Sequence, residues 1–199
     1  MTEHWNDVYA TRGAEERSWS EDEPTSSLEL LDLLGVTARD SLLDVGAGES
    51  GLVDHLLARG FTDLTIMDLS EVALAATRER EGHDHVATVQ ADVTTWRTAR
   101  RFDVWHDRAV LHFLSPDDAR RYVATMENTL SPRGAVVIGV FAPDGPASCS
   151  GLAVQRYSAE DLVELLGPGF TLVGQHQRRH RTPWGAEQSF QWVALRRAS

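Results

Sequence analysis

Residues 40–60, DSLLDVGAGESGLVDHLLARG, constrain this chain more than any other stretch. A short apolar run leads into three glycines spaced G-x-G-x-x-G (Gly46, Gly48, Gly51). Leu52, Val53, Leu56 and Leu57 then follow at helical spacing until Gly60. The run reads as a buried strand, the spacing as an amphipathic helix and Gly60 as its stop. A strand that enters a helix through so tight a turn belongs to a layered α/β sheet.

The rest of the chain repeats the theme. LTIMD, HVATVQAD, RFDVWHD and GAVVIGVFA read as further strands. SEVALAATRERE, SPDDARRYVATMENTL and SAEDLVELLG read as helices. Their starts are marked by Ser70, by Ser115 with Pro116, and by a Ser158–Asp161 capping box. FTLVGQHQ and EQSFQWVALRR read as two final strands in an antiparallel hairpin that closes a sheet edge. In the second, Phe190, Trp192 and Ala194 face one way and Gln191, Val193 and Leu195 the other. This alternation predicts a doubly wound, mostly parallel sheet with helices on both faces.

Composition narrows the class. The chain has 199 residues, 42% hydrophobic and 25% charged, which suits one folded domain over residues 1–199 and not a disordered chain. No apolar run approaches the roughly 18–20 residues of a membrane helix, so no membrane partner is expected. MTEHWNDVYATRG has no apolar signal core, and Cys149 is the sole cysteine; both point to a reducing cytoplasm. The net charge of −11 disfavours nucleic acid, and the short basic run RRHR (178–181) reads as a solvated face. The chain is expected to act as a monomer or homodimer.

Asp44, Asp68, Asp92 and Asp107 each fall at or just after the end of a successive strand. Ligands of such sheets bind beyond the carboxyl ends of the strands, so these acids share one rim. Asp68 suits ribose hydroxyls, as in dinucleotide enzymes. Three features argue against a dinucleotide. Asp44 before the turn sits poorly beside a pyrophosphate and well beside an ammonium or sulfonium. Glu49 occupies the helix start where a phosphate would rest. Asp92 closes the third strand, where it suits an adenine amine. These acids match a ligand with one nucleoside and a cationic amino-acid tail, the form of S-adenosylmethionine (SAM). No Lys-Ser/Thr pair follows the glycines, which excludes a Walker-type loop.

LLDVGAGESG, IMDLS, QADVTTW and FDVWHDRAVLHFL, in this order, resemble the class I SAM-dependent methyltransferases over roughly residues 40–142. The resemblance implies a Rossmann-like, seven-stranded sheet whose last strand is inserted antiparallel. It implies SAM as cofactor and S-adenosylhomocysteine as product. It places Asp44 and the turn of Gly46, Ala47 and Gly48 near the methionine part, Asp68 with Leu69 at the ribose, and Asp92 with Val93 at the adenine. Ser50 departs from the third close glycine of many members, and Gly51 follows it. HWNDVY and SWS, together with HDRAVLHF, are similar to small stand-alone enzymes of the thiopurine, thiol or metalloid methyltransferase kind. In those an aromatic leader, here residues 1–24 with Trp5, Tyr9 and Trp19, folds over the cofactor on a core formed here by residues 25–199. Some protein lysine methyltransferases have a similar leader.

Methyl transfer needs a positioned nucleophile and excluded water, with a base only for protonated acceptors. His106, Asp107, Arg108 and His112 follow the fourth strand, beside the expected methyl. His106 is assigned to the cofactor, and Asp107, Arg108 and His112 to catalysis. His112 reads either as a general base or as a packed histidine, and Arg108 either as a carboxylate binder or as a local ion pair. The loop FAPDGPASCSGLAVQRY is expected to form a substrate-side lid with Cys149, Arg156 and Tyr157, joined by Trp184 from HRTPWG. HDH (83–85) lacks a further ligand nearby in sequence, so no metal is expected. The expected acceptor is a small molecule with a thiol or other soft nucleophile. A protein lysine is the alternative within enzymes, and a non-catalytic SAM- or NAD-binding module the alternative outside them.

Overall fold

A computed structural model describes residues 1–21, 23–80 and 86–198. The elements run α1 (Thr2–Thr11), a 3₁₀ turn (Ala14–Glu16), α2 (Thr25–Leu33), β1 (Leu42–Val45), α3 (Leu52–Ala58), β2 (Leu64–Asp68), α4 (Glu71–Arg78) and β3 (Ala87–Gln90). They continue through β4 (Phe102–Arg108), a second 3₁₀ turn (Leu111–Phe113), α5 (Pro116–Thr129), β5 (Leu130–Phe141), the two-residue strands β6 (Ser148–Cys149) and β7 (Leu152–Ala153), α6 (Ala159–Leu166), β8 (Phe170–Arg181) and β9 (Glu187–Arg197). The HDH triplet lies outside the described residues.

Seven strands form one sheet in the order β3-β2-β1-β4-β5-β9-β8. β1 to β5 pair in parallel, and β9 enters antiparallel between β5 and β8. The sheet is thus the Rossmann-like, doubly wound sheet expected, with its last strand antiparallel. Alternation along the strands divides the core in two. Leu42, Ile66, Val104, Val137, Phe190 and Trp192 pack on one side with Leu28 and Leu31 of α2 and Leu52 and Leu56 of α3. Leu43, Met67, Trp105, Ile138, Val193 and Leu195 pack on the other with Tyr122 and Met126 of α5 and Leu162 and Leu166 of α6. Each face is covered by helices, which is why the central strands read as nearly unbroken apolar runs.

The caps read from sequence are made. Ser70, Ser115 and Ser158 side chains accept from the backbone N–H groups of Ala73, Asp118 and Asp161. The N-terminal helices are additions to the sequence reading. α1 buries Val8 alone and α2 buries Ser26 and Ser27 beside its leucines, so neither shows a clean apolar stripe. β5 also begins earlier than read: its ladder with β4 shifts register between Phe102 and Val104, and Arg133 takes φ +64° in the intervening turn.

Candidate active site

A cavity of about 360 Å³ opens at the carboxyl ends of β1, β2 and β4. Asp44, Gly46, Ala47, Asp68, Leu69, Asp92 and Val93 border one end of it. Gly46 has φ +66°, and the N–H groups of Gly46 and Ala47 both donate to Met67 O, at 2.7 and 3.1 Å. A Cβ at Gly46 would run into Val110 Cγ2, so the turn needs glycine for space as well as for φ. Asp68 is buried and accepts from Gly48 N–H at 2.9 Å and Ser70 N–H at 2.8 Å. Burial pushes its pKa up to about 6 despite those two donors. Asp92 Oδ1 accepts from the backbone N–H and hydroxyl of Thr94.

The N-terminal segment lies across the mouth, where Trp5, Tyr9, Trp19 and Glu21 border the cavity. Trp5 meets Trp19 and Phe113 edge to face, and Tyr9 meets Trp19 likewise. Tyr9 Oη packs where a Cβ of Gly48 would stand, so Gly48 faces the segment and does not border the cavity. Arg17 locks the segment down. Its guanidinium is buried, donates to Gly13 O and to Glu49 Oε2 at 2.8 Å, and lies over the Tyr9 ring. Further along, Arg108 donates to Trp19 O at 2.7 Å and pairs with Glu21 at 3.3 Å. His180 Nε2 sits 2.7 Å from Ser18 O, and Cys149 Sγ sits 3.8 Å from Ser18 Oγ.

The other end of the cavity is bordered by Arg108, His112, Phe141, Cys149, Gln188 and Phe190, while His106 stands beside Asp44. Arg108 Nε, His112 Nε2 and Gln188 Oε1 are buried with no hydrogen-bond partner among the described residues. Burial raises the pKa of Glu21 and of the Cys149 thiol. Ala109, just after β4, takes φ +76°, a conformation costing about 1–2 kcal/mol outside glycine. It turns the chain so that Arg108 and His112 both reach the cavity.

Several expectations are corrected here. Asp107 does not border the cavity. Strand alternation sends it to the face opposite His106, where its carboxylate accepts from Val110 and Leu111 N–H and holds the Ala109 turn. Burial raises its pKa to about 6. His112 is not placed to act as a base. Its Nδ1 accepts from Phe141 N–H at 3.3 Å, and a backbone N–H only donates. The proton of the neutral ring therefore sits on Nε2, and burial lowers the pKa to about 3. Arg156 is exposed and donates to Gly145 O. Tyr157 packs against the α5–α6 side of the core, and Trp184, 59% exposed, caps the β8–β9 turn. None of these three borders the cavity, and only Phe141 and Cys149 of the 141–157 loop do.

Arg17, Glu21 and Gln188 were not singled out from sequence. Each owes its place to a contact between distant segments, and no local pattern marks it. Among the described residues no group of three or more His, Cys, Asp or Glu is placed to hold a metal, and no helix is long and apolar enough to cross a membrane.

The comparisons with known proteins agree with this geometry. A sequence family described as a methyltransferase domain matches residues 42–134, from β1 to the start of β5. EEF1A lysine methyltransferase 2 of Danio rerio is 26% identical over 153 residues, 72% of this chain and 60% of that protein. The eEF1A lysine and N-terminal methyltransferase of Xenopus laevis is 28% identical over 181 residues, 88% of this chain and 25% of that protein. A Burkholderia thailandensis 1,6-didemethyltoxoflavin-N1-methyltransferase, solved with its substrate and S-adenosylhomocysteine, superposes with a TM-score of 0.72 at 27% identity, over 97% of this chain and 82% of that one. The chain is thus similar to known methyltransferases, with the family match confined to residues 42–134. It spans 60% of the first curated relative and a quarter of the second.

The residues present fit SAM. The cavity volume lies in the range of small-molecule sites, roughly 300–1,000 Å³. Its acids suit hydroxyl and amine donors and a positive charge. Of the two arginines at the glycine turn, Arg17 is paired with Glu49, and Arg80 donates to Glu49 O and Ser50 O from outside the cavity lining.

Proposed function

We propose that this methyltransferase acts on nitrogen, and that the nitrogen is the side-chain amine of a lysine in a protein partner. The observation that carries this reading is the set of curated relatives: all four matches bear the name of an eEF1A lysine methyltransferase, at 24–28% identity. They favour a lysine over the thiol that the aromatic leader suggested. The net charge of −11 suits a basic partner surface. The rings of Trp5, Trp19, Phe113, Phe141 and Phe190 border the cavity and suit the approach of an ammonium.

SAM, when bound, supplies a methyl group on a sulfonium that already leaves readily. In this reading Asp44, Gly46 and Ala47 hold its methionine part, Asp68 and Leu69 its ribose, and Asp92 and Val93 its adenine. Trp5, Tyr9 and Trp19 exclude water above it, which strengthens every electrostatic contact below. Arg108, with Trp19 O and Glu21, ties the covering segment to the end of β4. A lysine must lose its proton before it attacks. His112 does not take it, since Nε2 already carries one. Glu21 is the carboxyl whose raised pKa suits that task.

A second reading is favoured by the 1,6-didemethyltoxoflavin-N1-methyltransferase, which holds a small molecule and superposes over 97% of this chain and 82% of its own. One experiment separates the two. The protein is incubated with [methyl-³H]SAM and either purified eEF1A, the protein fraction of a heat-treated cell extract, or the small-molecule filtrate of that extract. Label recovered as methyllysine after acid hydrolysis supports the lysine reading. Label confined to the filtrate, or to another protein residue, overturns it.

A further inference from the structure

A line of buried hydrogen bonds runs from Asp44, beneath the glycine turn, through His106 to Ser27. Asp44 and His106 lie opposite each other in the β1–β4 ladder, so their side chains leave the same face of the sheet. His106 Nδ1–H donates to Asp44 Oδ1 at 2.6 Å, and on the far side of the ring Nε2 stands 2.8 Å from Ser27 Oγ of α2. All three residues are buried. Asp44 and His106 border the cavity, and Ser27 does not. The order Asp–His–Ser is that of a hydrolase triad, but a serine without a face on the cavity meets no substrate. What the line can do is fix a carboxylate. One oxygen of Asp44 is tied to a ring that is itself pinned at its other end, so the second oxygen cannot swing away from the cavity.

We propose that His106 is a positioning residue which, anchored by Ser27, holds Asp44 so that its free oxygen meets the cationic amino group of the SAM methionine tail. A carboxylate held at fixed range from a buried cation gains more than one that must be ordered on binding. The idea rests on SAM occupying this cavity and not on the identity of the acceptor.

The test is calorimetric titration with S-adenosylhomocysteine and with its analogue lacking the α-amino group. Wild type is compared with His106→Leu, His106→Asn and Ser27→Ala. Asn keeps an N–H where Nδ1 stands, and Ser27→Ala frees only the far end of the ring. His106→Leu should weaken S-adenosylhomocysteine about tenfold or more and leave the analogue within about twofold. His106→Asn should recover most of the loss, and Ser27→Ala should show a smaller loss with the same selectivity. Unchanged binding of S-adenosylhomocysteine to His106→Leu would overturn the proposal. So would an equal loss of both ligands with no recovery by Asn, which would show that the ring only fills space. If His106→Leu does not fold, Ser27→Ala decides: no loss selective for the amino-bearing ligand overturns the idea. No acceptor enters the measurement, so a failed lysine assignment leaves its outcome untouched. Failure of the wild type to bind S-adenosylhomocysteine would strike the cofactor assignment instead.

Discussion

The two ends of the cavity are built in different ways. The cofactor end comes from short stretches: a turn of three glycines, and acids that close β1, β2 and the loop after β3. Its contacts are mostly to backbone a few residues away or on the neighbouring strand, as with Asp68 bound to Ser70 and Gly48. The acceptor end is assembled from the N-terminal segment, the end of β4, the 3₁₀ turn after it, β6 and β9. Its polar atoms are tied to distant partners, as Arg108 is to Trp19 and Glu21, or have none among the described residues, as with Gln188 Oε1. A site made by local geometry is specified by a motif. A site made by tertiary contacts is specified only by the fold, and the same fold can present different acceptor ends.

The largest expected effect falls where the two ends touch. Gly46→Ala places a methyl group against Val110 and forces alanine to φ +66°. It should destabilise the protein by about 2–5 kcal/mol, from overpacking plus left-handed strain, measured by urea unfolding. A loss under about 1 kcal/mol would mean that the turn relaxes easily and does not bind the two ends together.

His112→Asn tests the acceptor end. Asn Oδ1 can still accept from Phe141 N–H, but the titrating ring is gone. In the wild type the folded-state pKa is depressed to about 3 from the usual 6.5. Its contribution to stability is therefore present above pH 6.5 and lost as pH falls from 6.5 toward 3. Relative to the variant, the wild type should lose stability over that window with a slope approaching about 1.4 kcal/mol per pH unit. Asp68 and Asp107, both raised to about 6, work in the opposite sense between their unfolded values and pH 6, and they cancel in the comparison because both proteins carry them. A pH-independent difference would mean that the ring titrates in the folded protein as it does in the unfolded chain, and the base reading of His112 would return.

The same division explains what could be read in the sequence. The sheet, its helices and their serine caps follow from periodicity and capping residues, which are local. So does the acid at each strand end. Asp107 shows the limit: its position at a strand end was legible, but the face it takes depends on which neighbour, His106 or Asp107, points to the cavity. His112 shows another, since its proton is placed by the N–H of Phe141, which lies on the next strand. Helix α2 went unread because the serines it buries, Ser26 and Ser27, look solvent-facing until His106 supplies a partner for one of them.

The smallest effect is expected outside the cavity. Trp184→Ala at the β8–β9 turn should change stability and S-adenosylhomocysteine affinity by no more than about 0.5 kcal/mol. A clear loss of acceptor turnover would extend the acceptor end to that hairpin.

The claim that the two ends are separable is tested most directly by titrating S-adenosylhomocysteine into Asp68→Ala and Gln188→Leu side by side. Asp68→Ala leaves two N–H groups unpaired and, in the proposed reading, removes the ribose acceptor, so binding should weaken by about 1.5–3 kcal/mol. Gln188→Leu should bind the product as the wild type does while losing methyl transfer. Equal weakening in both variants, or weakening in Gln188→Leu alone, would contradict the division of the cavity into a cofactor end and an acceptor end.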